Sequence, residues 1–125
     1  MGHMNVMWYA GKFDEATWSL LALFGLTAKY LKNENKGTVA AEQHTFYKKE
    51  LLAGTTVYIL SGIIEVKDKS IKFFHEMRDS ETDETVAITF YTGIYIDYKD
   101  RKPSSLPEDI KKMAASLIAD KIPQS

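Results

Sequence analysis

The stretch whose residue types and spacing can do chemistry is Gly2-His3-Met4-Asn5, with Tyr9 four residues beyond Asn5, where an apolar helical pattern is already under way. A helix N-terminus presents unpaired amides and positive partial charge. A carbonyl held there is polarised, and an oxyanion developing on it is stabilised. His3 and Asn5 stand where they can orient a water or that carbonyl. Asn5 also has a structural use, because its side-chain oxygen can accept from a free amide of the first turn. His3 without this setting is an ordinary exposed imidazole. A carboxylate for proton transfer would come from Asp14 or Glu15 farther along the helix, and Asp14 shares the side of Ala10 and Phe13. The competing reading of that acidic pair is a solvated face or a partner for Lys12.

These residues need a scaffold, and the apolar spacing supplies one. Val6, Ala10, Phe13, Thr17, Leu20, Leu21 and Phe24 recur on one face at helical period, which predicts a long helix from Val6 to Phe24 stopped by Gly25. Such a helix is roughly 28 Å long, enough to cross a small domain. Thr27 can cap a short second piece through Leu31, and Asn33 to Gly37 reads as a loop. From there the period changes. Strands are expected at Thr38 to Lys48, Thr55 to Val66, Ser70 to Arg78 and Glu84 to Tyr98, joined by short turns that favour antiparallel neighbours. Gly62 and Gly93 inside strands point to a bulge or a close backbone approach. Ile110, Met113, Ala114, Leu117 and Ile118 then form the stripe of an amphipathic C-terminal helix entered through Pro107, Glu108 and Asp109. A long apolar helix followed by consecutive antiparallel strands is an α+β arrangement in which the sheet wraps or covers the helix.

Composition narrows the chemistry. The chain has 125 residues with 45% hydrophobic content, enough for one core in one domain. The absence of cysteine removes disulfides, thiolate catalysis and cysteine zinc sites, and fits a reducing compartment. A formal charge of −1 gives no field that would draw the chain to nucleic acid or to an anionic membrane. No apolar run approaches the ~20 residues of a membrane span, so the chain reads as a soluble cytoplasmic protein. Three scattered histidines show no metal-ligand spacing, and no Gly-rich phosphate loop occurs. His75 and Glu76 are neighbours on a strand, point to opposite faces, and read as structural.

Gly2-His3-x-Asn5 with Tyr9 resembles the start of the helix in hotdog-fold acyl-CoA thioesterases, in the 4-hydroxybenzoyl-CoA thioesterase-like branch. Phe13-Asp14-Glu15-Ala16, Glu42-Gln43-His44-Thr45-Phe46-Tyr47, Lys69-Ser70, Phe74-His75-Glu76 and Tyr95-Ile96-Asp97 before Leu106-Pro107 continue it in order over nearly the whole chain. The resemblance implies a hotdog fold spanning residues 1–125, with a long central helix wrapped by a curved antiparallel sheet. It further implies a homodimer or homotetramer that binds acyl-CoA between protomers and hydrolyses the thioester without metal or redox cofactor. His3, Asn5 and Asp14 become the catalytic candidates, and Tyr9, His44 and Phe46 the substrate-binding ones, with His44 and Phe46 on one face of an edge strand. Lys48, Lys49, Lys67, Lys69 and Lys72 are either solvated lysines or contacts to the CoA phosphates.

The family usually carries a first strand and a catalytic Asp just before the Gly-His element. Here they would lie upstream of Met1 or be absent, and in the second case the chain is a non-catalytic acyl- or CoA-binding module. Met1 to Met4 also match an expression-vector remnant, although the motif continues past them from Asn5 to Tyr9.

Overall fold

The computed structural model describes residues 6–124, so His3 and Asn5 lie outside the described residues. Helix α1 runs Val6–Leu23. Its buried side is Tyr9, Phe13, Leu20 and Leu21, followed by Phe24 just past the end, with Thr17 half-buried between them. The expected stripe is corrected at one place: Ala10 is exposed and Tyr9 takes the inward position. Steps of four and three residues from Phe13 lead back to Tyr9 and on to Leu20, whereas Ala10 falls about 100° away around the axis. Gly25, at φ 102°, turns the chain through the left-handed region, and the Leu26 amide donates back to the Leu21 carbonyl at 3.0 Å. That hydrogen bond satisfies a carbonyl which the helix end would leave open.

Helix α2, Ala28–Glu34, is capped by Thr27, whose hydroxyl accepts from the Tyr30 amide at 3.1 Å. It outlasts the expected end at Leu31, and no loop follows it. Asn35 adopts φ 54°, a left-handed value that Asn tolerates, and strand β1 begins at the next residue.

The sheet comprises β1 (Lys36–Tyr47), β2 (Val57–Val66), β3 (Ser70–Asp79) and β4 (Thr85–Asp97), with the two-residue β5 (Lys102–Pro103) beside the end of β4. The order is β1-β4-β3-β2 and the pairings are antiparallel. Short turns do make β2, β3 and β4 neighbours. The turn at Ala53-Gly54 instead belongs to a longer connection, residues 48–56, that carries the chain from one edge of the sheet to the other. Leu51 is buried in this connection, and the Lys48 amide ties it to the Val86 carbonyl at 2.8 Å. The register of β1 on β4 shifts between Ala40 and Glu42, opposite Gly93, so a bulge lies where that glycine suggested one. Gly62 marks the close approach: a Cβ there would sit 2.8 Å from the Phe74 ring and 2.9 Å from Ala119 Cβ.

Helix α1 covers one face of the sheet. Towards its C-terminal end Leu20, Leu21 and Phe24 pack with Ile63, Phe73 and Tyr95, and towards its start Tyr9 and Phe13 pack with Met77 and Val86. Helix α3, Glu108–Ala115, adds Ile110 and Ala114 to the first cluster. Leu117, just past the helix end, packs against the same cluster, and the remainder of the expected stripe is corrected. The helix ends at Ala115, Met113 is half exposed, and Ile118 leaves the helix to bridge Ile63 on the open side of β2. No described helix is long and apolar enough to cross a membrane.

Because Leu20 is 4% and Phe24 1% exposed, Leu20→Ala and Phe24→Ala should each lower unfolding free energy by about 2–5 kcal/mol in denaturant titrations. Losses under ~1 kcal/mol for both would mean that α1 does not pack this way.

Candidate active site

Asp14 follows Phe13 on α1, and that succession decides where it points. Phe13 is locked into the core at 1% exposure, so the next residue is turned about 100° toward the side of the helix that looks over β1 and β4. Its carboxylate reaches the mouth of a cavity of about 170 Å³ between α1 and the sheet. Thr17 and Trp18 wall the cavity on the helix side, and Phe73, Tyr91 and Gly93 on the sheet side. The Phe73 and Tyr91 rings stack at 5.2 Å between centroids. Asp14 is exposed and has no ion-pair partner among the described residues. Tyr91 is buried, which pushes its phenol above the ordinary value of 10.0, and the negative charge of Asp14 pushes it further. The site therefore combines one free carboxylate, a neutral phenol and the Thr17 hydroxyl around an aromatic floor.

His75 lies beneath this floor with 0% exposure. Phe13 stacks on its ring at 6.1 Å, while Phe73 and Tyr91 meet it edge-on at 5.5 and 5.7 Å. Both ring nitrogens are occupied, Nε2 by Thr17 Oγ1 at 2.9 Å and Nδ1 by Ser61 Oγ at 2.6 Å. The tautomer follows. Thr17 gives its hydroxyl proton to the Phe13 carbonyl at 3.0 Å, so its oxygen accepts from Nε2–H. Nδ1 is then the acceptor for the Ser61 hydroxyl. Burial lowers the imidazole pKa from its ordinary 6.5 to about 4.

The other candidates fall elsewhere. Tyr9 is a core side chain, 5% exposed, with edge contacts to Trp8 at 5.4 Å and Tyr47 at 5.0 Å. It does not line the Asp14 cavity. His44 and Phe46 pair in register with Phe90 and Ile88 of β4, which puts them on the face away from α1. There Phe46 meets Phe90 edge-on at 6.1 Å, and His44 lies 3.5 Å from Glu42 with both side chains exposed. Glu76 also faces away from α1, paired with Arg78 at 3.1 Å and accepting from Thr85 at 2.5 Å. No group of three metal-ligating side chains occurs among the described residues.

Sequence reading missed Thr17 and Tyr91 as site residues, and Ser61 and His75 as a pair. A signal existed for His75, since it alternates with Phe73 and Met77 and so shares their buried face. Nothing local could have named Ser61 as its partner across the β2–β3 register.

Several solved structures resemble the chain over its length. One is a Staphylococcus aureus protein in complex with CoA, 18% identical, covering 100% of this chain and 78% of that one, with a TM-score of 0.90. Another is a 1,4-dihydroxy-2-naphthoyl-CoA thioesterase from Synechocystis, 14% identical over 93% and 85% of the two chains, with a TM-score of 0.81. A gentisyl-coenzyme A thioesterase is 22% identical over 91% and 88%, with a TM-score of 0.77. No curated protein matches. The α+β architecture is thus that of the hotdog acyl-CoA thioesterases. The chain belongs to the thioesterase-like superfamily, whose family model matches residues 1–113.

The buried imidazole predicts a pH dependence with a definite sign. A depressed folded-state pKa means that the unfolded chain takes the proton first as pH falls. The His75 contribution should be complete above pH 6.5 and lost progressively between 6.5 and about 4, amounting to about 3 kcal/mol. Denaturant titrations across that window measure it, with His75→Gln as the control that flattens the profile. An unchanged slope in the variant would contradict the assignment.

Proposed function

We propose that the chain hydrolyses an acyl-CoA thioester, with the acyl group in the cavity between α1 and the sheet and Asp14 acting on the attacking water. The observation that carries this reading is the free Asp14 carboxylate at the mouth of an apolar cavity. Superfamily membership and the CoA-bound neighbour agree with it. A volume of about 170 Å³ suits a small acyl group, with the nucleotide portion of CoA left outside, because pockets that enclose a whole drug-sized ligand run to about 300–1,000 Å³. The carboxylate takes a proton from water as its oxygen adds to the thioester carbonyl. Collapse of that adduct expels the CoA thiolate, which recovers a proton. A neutral Tyr91 suits this chemistry, since a second anion beside Asp14 would repel both the carboxylate and the developing oxyanion.

In this reading α1 is the central helix around which the sheet curves. The functional unit is a dimer. Thr38 and Val39 of edge strand β1 border the cavity, so a second copy laid along that edge would complete its wall and cover open backbone. Light scattering should report a dimer or a multiple of it, and a monomer that hydrolyses thioesters at full rate would remove the between-protomer site. The cytoplasm is the setting that suits a cysteine-free chain acting on CoA esters.

Asp14→Asn should lower the rate of CoA release from the best acyl-CoA by at least about 100-fold. Its unfolding midpoint should stay close to wild type, because the side chain is exposed. A wild-type rate in the Asp14→Asn variant would move the acid elsewhere. Tight acyl-CoA binding without release of free CoA by the wild type would favour a binding module instead.

A further inference from the structure

The Ser61–His75 pair takes no part in the chemistry assigned to Asp14, yet it has the arrangement that a nucleophilic serine requires. Its hydroxyl donates to a histidine nitrogen at 2.6 Å, and a third group, Thr17, holds the other nitrogen at 2.9 Å and so fixes the tautomer. Ser61 is itself accessible. It opens into a groove of about 800 Å³ between α1 and β2, separate from the Asp14 cavity, with Trp8, Leu20 and Leu23 forming an apolar wall.

The backbone supplies a further part. On the open side of β2 the Ile63 amide donates to the Leu117 carbonyl at 3.3 Å. Alternation by two along a strand in regular register turns the amides of Ile59 and Ser61 to the same side. Among the described residues no backbone acceptor meets them there. They are donors available to an oxyanion that forms beside Ser61 Oγ.

We propose that Ser61 is a nucleophile with His75 as its base, forming a second centre that accepts an acyl group from an activated ester or thioester with an apolar acyl portion. Ser61 Oγ adds to the carbonyl while its proton passes to His75 Nδ1. The bond to the leaving group then breaks, and that proton goes to the departing oxygen or sulfur, leaving an ester on Ser61. Water reverses the sequence and releases the acid. A strongly activated leaving group departs with little help from the base, whereas hydrolysis of the Ser61 ester needs His75 to activate water, so a buried, weakly basic imidazole slows release more than acylation and the acyl group accumulates on Ser61.

p-Nitrophenyl acetate is the probe, with p-nitrophenol release followed optically and the site of acetylation mapped by peptide mass spectrometry. Wild type and Asp14→Asn should both acquire an acetyl group on Ser61, which separates this centre from the thioesterase reading, and Ser61→Ala should not. His75→Gln should slow acetylation of Ser61 by about 100-fold. Should His75→Gln fail to fold, Thr17→Val, which keeps the imidazole but releases its anchor, should still slow it by about 10-fold in protein shown to be folded by its thermal transition. Acetyl groups confined to lysines in the wild type, or Ser61 acetylation at the wild-type rate in the folded His75 or Thr17 variant, overturns the proposal.

Discussion

The contact on which the rest of this molecule depends is the burial of His75 between α1 and β3. A polar ring with no solvent exposure is tolerated because each of its nitrogens has a partner, and leaving either unpaired would cost about 1–3 kcal/mol. Those partners come from different elements, Thr17 from α1 and Ser61 from β2. Apolar packing alone would let the helix roll over the sheet at small cost. Hydrogen bonds at 2.9 and 2.6 Å to a ring wedged between Phe13 and Phe73 allow far less freedom.

Fixing that rotation also fixes the position of Asp14 at the cavity. With Phe13 over His75, Asp14 looks across the helix flank to the aromatic floor, and Thr17 contributes both a hydrogen bond to His75 and part of the cavity wall. The far face of the sheet answers to other constraints. Phe74 and Ile88 are buried there although no helix covers them, and they line one groove with the C-terminal residues Lys121 to Gln124. The tail can reach it because Gly62 leaves room for Ala119 beside the Phe74 ring. Glu76, almost fully buried on this side, is held by Arg78 and Thr85 and so brings no unpaired charge into the sheet.

Much of this was legible in the sequence, and the failures have physical causes. Helical and strand periods located α1 and the four long strands to within a few residues, since each element buries one face and exposes another. Pairing partners were not legible. Alternation in β1 is the same whether its neighbour is β2 or β4, and only the three-dimensional path of residues 48–56 decides. The α2–β1 junction was misread because Asn35 does alone, at φ 54°, what several loop residues were expected to do. Asp14, singled out on α1 by its spacing, lines the cavity, but it is turned about 100° from the buried Phe13 whose side it was expected to share. Tyr91 at the cavity and the Ser61–His75–Thr17 hydrogen bonds depend on contacts among residues far apart in sequence, which single-chain spacing does not encode.

Docking of α1 places Asp14 beside the aromatic cavity, where we propose that it faces the substrate. A crystal structure with a non-hydrolysable acyl-CoA analogue, in which a methylene replaces the thioester sulfur, tests it most directly. The expected result is an acyl group on the Phe73–Tyr91 floor, with its carbonyl carbon facing a water that donates to the Asp14 carboxylate at about 2.6–3.2 Å. An acyl group seated in the groove between α1 and β2, or on the Phe46 face of the sheet with Asp14 turned to solvent, would contradict it.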